Sequence, residues 1–180
     1  MKAFYIFLTL LVFIGCSTPK SYILDNKNVP ILDKTFTKSI GVKTIELPQY
    51  LLGTEIPFLQ NDNQIIYLKD KKWATYLDEQ LTNRVVSTLQ KSFNTSKVYK
   101  YPQNTSTKPD IIIQITINKF IADENEVVLD VTCATDNKNR LFSIKTPLKS
   151  KEDVVIGMNK AFNTLEKELI DDFIASNQRN

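Results

Sequence analysis

Two hydrophobic periods divide the chain. From residue 71 to 93, Trp73, Leu77, Leu81, Val85, Leu89 and Phe93 recur every four residues, Val86 widens the stripe, and Asp, Gln, Asn and Lys fill the other side. That spacing predicts an amphipathic helix. A second stripe runs near the C-terminus through Val154, Met158, Phe162, Leu165, Leu169 and Phe173, with Val155, Ala161 and Ile174 beside it. Ser150 and Asp153 ahead of it predict an N-terminal cap. Between the two stripes the period falls to two. Ile111, Ile113, Ile115 and Ile117 alternate with Ile112, Gln114, Thr116 and Asn118; Val127, Leu129, Val131 and Cys133 alternate with Val128, Asp130, Thr132 and Ala134. "ADENE" supplies a turn between these runs, and "DNKN" leads into a third strand, "RLFSIKT". The pattern is an antiparallel meander with one apolar and one mixed face.

The first half is less regular. "SYILD" reads as a short strand. "KSIGVKTIELP" reads as a strand ended by Pro48, with a slip in alternation between Val42 and Ile45 that predicts a bulge. "PQYLLGTEIPFLQND" is punctuated by Pro48, Gly53 and Pro57 and reads as a loop, "NQIIYL" as a short strand, and "KYPQNTSTKPD" as a break. Together these elements predict an α/β (α+β) two-layer sandwich. Its mixed, largely antiparallel sheet has about five or six strands, with two amphipathic helices on one face. The first helix crosses over between strands of a right-handed βαβ unit. The other face, half polar, is left exposed or available to a second copy.

The N-terminus changes the picture of where this domain works. Lys2 precedes an apolar stretch from Ala3 to Ile14, too short to span a bilayer, and Gly15-Cys16 closes it. This ending resembles the lipobox of bacterial lipoproteins, although Phe13 stands where an aliphatic residue is usual. The resemblance implies cleavage before Cys16, acylation of its thiol and amine, and, with Ser17 following, sorting to the outer membrane. Two or three acyl chains hold a protein stably where one holds it marginally. The predicted organisation is a lipoprotein signal peptide at 1–15, a lipidated N-terminus with tether and first short strand at 16–37, and a single domain at 38–180.

Composition narrows the chemistry. Lys and Arg number 23 against 20 Asp and Glu, without a polybasic stripe, so nothing steers the chain toward nucleic acid. The sequence has no histidine, which removes imidazole bases and His–metal clusters. Its two cysteines are Cys16 and Cys133, and its four glycines are scattered, so neither a Cys cluster nor a phosphate loop forms. Cys133 reads as a small buried apolar residue. The carboxylates Asp123/Glu124/Glu126, Glu166/Glu168 and Asp171/Asp172 read as solvated charge, in a hairpin turn and on the outer side of the second helix. The expectation is a chain that is not an enzyme and uses no cofactor or metal. Tyr50, Leu51, Leu52, Ile56 and Phe58 crowd the Pro/Gly stretch, with Trp73 shortly after. They either complete the core or form a docking patch, in which Tyr50, Leu51 and Trp73 are the candidate partner-binding residues.

At these residues the sequence resembles the PqiC/YmbA family of ABC-type transport auxiliary lipoproteins. A lipidated Cys is followed by "SYIL", "IGVKTIELPQYLL", "EIPFLQNDNQIIYL" and "WATYLDEQLTNRVVSTL". Leu47, Pro48, Tyr50, Leu51, Trp73, Ala74, Leu77 and Leu81 fall on the family's V-x-LP-x-YL and W-A positions; Gln49 replaces its usual acidic residue. The ordered match covers about residues 21–93. It implies a periplasm-facing accessory component, tethered to the outer membrane and partnering an MCE-domain protein in a lipid transport system, without catalytic residues. Related folds in TolB-like and synthase-activating lipoproteins supply the alternative, an envelope lipoprotein that binds or activates a cell-wall synthase or assembly factor.

Overall fold

The alternating run that begins at Ile111 becomes the spine of the sheet. A computed structural model describes residues 18–26, 29–32, 36–61, 63–102, 108–135 and 138–177; Cys16 and the apolar stretch before it lie outside the described residues. Strand β6 (Ile111–Ala122) pairs antiparallel with β7 (Glu126–Thr135), and β7 with β8 (Lys138–Pro147). Ile113, Ile115 and Ile117 on β6 and Val127, Leu129, Val131 and Cys133 on β7 are buried, as period two requires of a face packed against helices.

The other edge of β6 serves two arms. β2 (Ile40–Lys43) lies parallel to the start of β6 and carries the parallel β5 (Val98–Tyr101) on its far side. β3 (Glu55–Gln60) meets β6 at Phe58 and Ala122. It continues through the antiparallel β4 (Gln64–Trp73) to a short parallel β1 (Lys20–Tyr22). Gly41 on β2 is needed for close approach: a Cβ there would stand 2.6 Å from Pro109 Cγ and 2.9 Å from Tyr101 Cβ.

The described residues form eight strands rather than the five or six expected. β3 lies inside the Pro/Gly stretch expected as a loop, and β5 runs into the first two residues of the expected break, Lys100 and Tyr101; both are set by the strands they join, not by their own periodicity. β4 does not stop after "NQIIYL". It runs on through the charged residues Lys69–Lys72, because a register shift between Glu55 and Pro57 bulges the strand there and leaves Lys69, Asp70 and Lys72 exposed. Trp73 therefore ends a strand instead of opening a helix, and its N–H donates to Thr54 O at 2.7 Å.

Helix α1 (Leu77–Ser92) begins four residues later, with Asp78 and Glu79 in its first turn and Lys91 in its last, each complementing the helix dipole. Asn94, at φ 46°, follows in the left-handed region that ends helices. Helix α2 (Val154–Asn177) is entered through a 3₁₀ turn, Lys151–Asp153. That turn displaces the expected cap: Ser150 Oγ makes no capping bond to the backbone and donates to Asp153 Oδ2 at 3.2 Å. α1 packs on β2 and β5, and α2 on β6, β7 and β8. One hydrophobic core joins the layers, with Trp73, Phe58, Phe93, Phe120 and Phe162 fully buried.

The stretch expected as a tether lies on the body wherever it is described. Ala74 N–H donates to Tyr22 O (2.8 Å), Leu32 N–H to Ser92 O (2.9 Å) and Phe36 N–H to Phe93 O (3.2 Å). Leu24 is buried, with its N–H donating to the Gln80 side chain, and the Phe36 ring stacks on Phe93 at 5.0 Å. The N-terminal segment thus straps the two-helix layer.

Candidate functional site

The "LPQYLL" stretch occupies the gap where the two arms of the sheet part. β2 stops pairing regularly at Lys43, and Glu46 rejoins β6 as an isolated bridge to Thr116. Glu46 N–H donates to Ile115 O (3.0 Å) and its carbonyl accepts Ile117 N–H (2.9 Å). Its carboxylate accepts Thr116 Oγ1 (2.9 Å) and Gln114 Nε2 (3.1 Å). The chain then turns through a short 3₁₀ element, Gln49–Leu51. Tyr50 Oη accepts Phe120 N–H at 3.0 Å, before β3 takes over the edge at Ala122. A side-chain oxygen thus stands in for a missing strand. Half burial pushes the Tyr50 phenol up, against the pull of the Phe120 N–H bond, with the Asp130 carboxylate adding to the rise.

The three residues singled out as candidate contacts have different destinations. Leu51 and Trp73 are each 1% exposed and belong to the core; Tyr50 is half-buried and keeps some surface. In this structure neither Leu51 nor Trp73 offers surface to a partner. Trp73 falls on the core side because it alternates into the sheet beside Tyr22, under the segment held by Ala74.

A second constellation was misread as solvent-facing. Glu166 is only 2% exposed and forms an ion pair with Arg84, itself 7% exposed. Arg84 Nη2 donates to Glu166 Oε2 at 2.7 Å and Nε donates to Oε1 at 3.1 Å, a two-pronged contact. Thr88 Oγ1 donates to Oε1 and Asn26 Nδ2 to Oε2, both at 2.8 Å. Arg84 also donates to the side-chain oxygens of Asn159, at 2.6 Å, and Asn163, and lies 4.9 Å from the centroid of the Phe162 ring. A cleft of about 490 Å³ opens above this cluster between Asn26, Pro30, Asn163 and Ile170. Four donors occupy the Glu166 carboxylate, which leaves no lone pair for a substrate. The arrangement clamps α1, α2 and the N-terminal strap together. The signal for it was present in the stripes: Arg84 follows Leu81 by three and precedes Thr88 by four, and Glu166 follows Phe162 by four.

The remaining groups carry little chemistry. Cys133 is a free, buried thiol pushed up to about 12 by burial, with the Asp172 carboxylate adding to the rise. Asp123 accepts the N–H groups of Asn125 (2.7 Å) and Glu126 (2.8 Å) and so closes the β6–β7 turn. Asp172 pairs with Lys138 and Arg140, each at 2.7 Å, and Glu126 with Lys145 at 2.8 Å. Among the described residues no three His, Cys, Asp or Glu side chains gather as a metal site, and no helix is long and apolar enough to cross a membrane.

A family model, "ABC-type transport auxiliary lipoprotein component", matches residues 22–169, from β1 through most of α2. The chain belongs to this family. Membership gives it an accessory role in ABC-type transport, as a lipoprotein. Solved structures are similar in fold. A crystal structure of the protein XCC0632 from Xanthomonas campestris, of the family DUF330, aligns with a TM-score of 0.69 and 14% identity, over 89% of this chain and 95% of that one. A second crystal structure, of an uncharacterized protein, aligns with a TM-score of 0.66 and 18% identity, over 87% of this chain and 99% of that one. No curated protein matches the chain. The positions that carried the resemblance now have structural roles. Leu51, Trp73, Leu77 and Leu81 are core, Tyr50 splints the sheet, and Ala74 holds the strap. They hold the fold together.

Proposed function

We propose that this chain is the accessory lipoprotein of an ABC-type lipid transporter. Cys16 carries the acyl groups, the domain faces the periplasm from the outer membrane, and its partner is an MCE-domain protein. The observation that supports this most is the family match over residues 22–169, which spans nearly the whole described domain. The site geometry agrees with it. Buried charge is consumed by internal hydrogen bonds, the free thiol is shielded, and the family positions serve packing, an arrangement that suits a domain working by binding. Of the three candidate contact residues, Tyr50 is the one with surface to offer a partner.

Two measurements test the reading. Cys16→Ser should abolish labelling by a fatty-acid analogue and release the chain from membranes; label that still enters the Ser variant would put the lipid elsewhere. The lipidated wild-type chain, solubilised from envelope membranes, should retain an MCE-domain protein. Retention of a cell-wall synthase in its place would favour the alternative role in wall assembly.

A further inference from the structure

The sheet face turned away from the helices carries an apolar patch close to the chain's membrane end. Leu52 is 55% exposed, Tyr67 47% and Ile65 38%. These side chains stand together. Ile65 lies opposite Leu59 and Tyr67 opposite Pro57 in the β3–β4 register, on the face opposite to that of the buried Phe58. Tyr67 Oη donates to Tyr50 O at 3.5 Å, which brings the turn bearing Leu52 against the strand. Exposed lysines of β4, Lys69 and Lys72, flank the patch.

The path of the chain says what covers this face. β1 lies on the outer edge of β4 in parallel register, Lys20 beside Lys71, so the chain enters the fold alongside β4, near its C-terminal end. Lys20 is four residues after Cys16. Four residues reach at most about 14 Å, less than the width of the domain, so an acylated Cys16 keeps the β1–β4 edge at the bilayer surface. A patch of aliphatic and tyrosine side chains with lysines at its side suits the boundary between phospholipid headgroups and acyl chains. The apolar groups enter it, and the ammonium groups reach the lipid phosphates.

We propose that this face, built from Leu52, Ile65 and Tyr67 with Lys69 and Lys72, rests on the phospholipid surface that holds the anchor and fixes the orientation of the domain. The proposal rests on the lipidation of Cys16. Its test uses the full, lipidated chain in vesicles of phosphatidylethanolamine and phosphatidylglycerol, with an environment-sensitive fluorophore on Ile65→Cys. Leu141→Cys is the control, 81% exposed on β8 at the opposite edge of the sheet. The Ile65 probe should shift to the blue and be quenched by spin-labelled phospholipid several-fold more than the Leu141 probe. Adding Leu52→Lys and Tyr67→Lys should abolish that difference while acyl labelling and melting temperature stay unchanged. A water-like Ile65 probe on an acylated chain overturns the docking face alone. So does a probe shielded from aqueous iodide yet untouched by spin-labelled lipid, which would assign the face to a second copy or a protein partner. A wild-type chain that takes no acyl label overturns the anchor, and the docking face with it.

Discussion

Between the helices, charge is buried: Arg84 and Glu166 face each other in a layer made mostly of apolar side chains. On the far side of the sheet, Leu52, Ile65 and Tyr67 stand in solvent. Each region inverts the usual assignment of polar residues to the surface and apolar residues to the core. The inner inversion is closed. Every Glu166 oxygen is engaged, and the donors come from α1 and the N-terminal strap, so the cluster fixes how three segments meet. The outer inversion is open, with nothing among the described residues covering it. A buried ion pair completed from within is a device of structure; an apolar patch left uncovered is available for contact.

The buried pair should respond most strongly to substitution. Glu166→Ala strands the Arg84 guanidinium in a buried layer and should cost about 3–5 kcal/mol in urea or thermal unfolding. Arg84→Met combined with Glu166→Leu should recover most of that loss, because a packed apolar pair needs no solvation. A harmless Glu166→Ala would mean that water reaches the pair. Leu81→Ala, in the same layer, should cost roughly 2–5 kcal/mol by leaving a cavity, read as an earlier melt.

Cys133 supplies a pH-dependent test of burial. Its folded pKa, pushed up to about 12, lies above that of an unfolded thiol, so the unfolded chain releases its proton first. The stability tied to this thiol is therefore complete below about pH 8.5 and declines as pH rises toward 12. By pH 10 the difference should be about 2 kcal/mol. Denaturant melts of wild type and Cys133→Ala at pH 8 and pH 10 should diverge accordingly, with the Ala variant losing less. The folded thiol should also resist alkylation at pH 8. Tyr50→Phe removes the partner of Phe120 N–H and should cost about 1–3 kcal/mol. At the small end, Leu52→Lys on the outer face should change stability by no more than about 0.5 kcal/mol, which would separate the two regions cleanly.

How far the sequence disclosed this follows from the source of each element's order. The meander and the helix stripes were legible because period two and period 3.6 write burial directly into the residue pattern. Trp73 deceived the pattern: it stands four residues before Leu77 and so extends the helical stripe, while its backbone pairs with Thr54 and makes it the end of a strand. β3 and β5 were hidden because their partners, β4 and β2, supply the order that Pro57 and the short run at Val98 do not advertise. Glu166 was misread because a carboxylate defaults to solvent; only the coincidence of Arg84 on one stripe and Glu166 on the other marks the pair. Tyr50, Leu51 and Trp73 formed one cluster in the sequence and two environments in the fold, since a turn passing beside the open edge of β6 sends the neighbours Tyr50 and Leu51 in opposite directions while Trp73 ends β4 in the core.

If the chain serves lipid movement by contact at a membrane, a pulse-chase of labelled phospholipid between the inner and outer membranes should depend on it. Cells lacking the chain should transfer label more slowly. The wild-type chain and the Arg84→Met, Glu166→Leu variant should restore the rate, and Cys16→Ser should not. Unchanged lipid transfer in cells without the chain, accompanied by altered peptidoglycan cross-linking, would rule out a role in lipid movement.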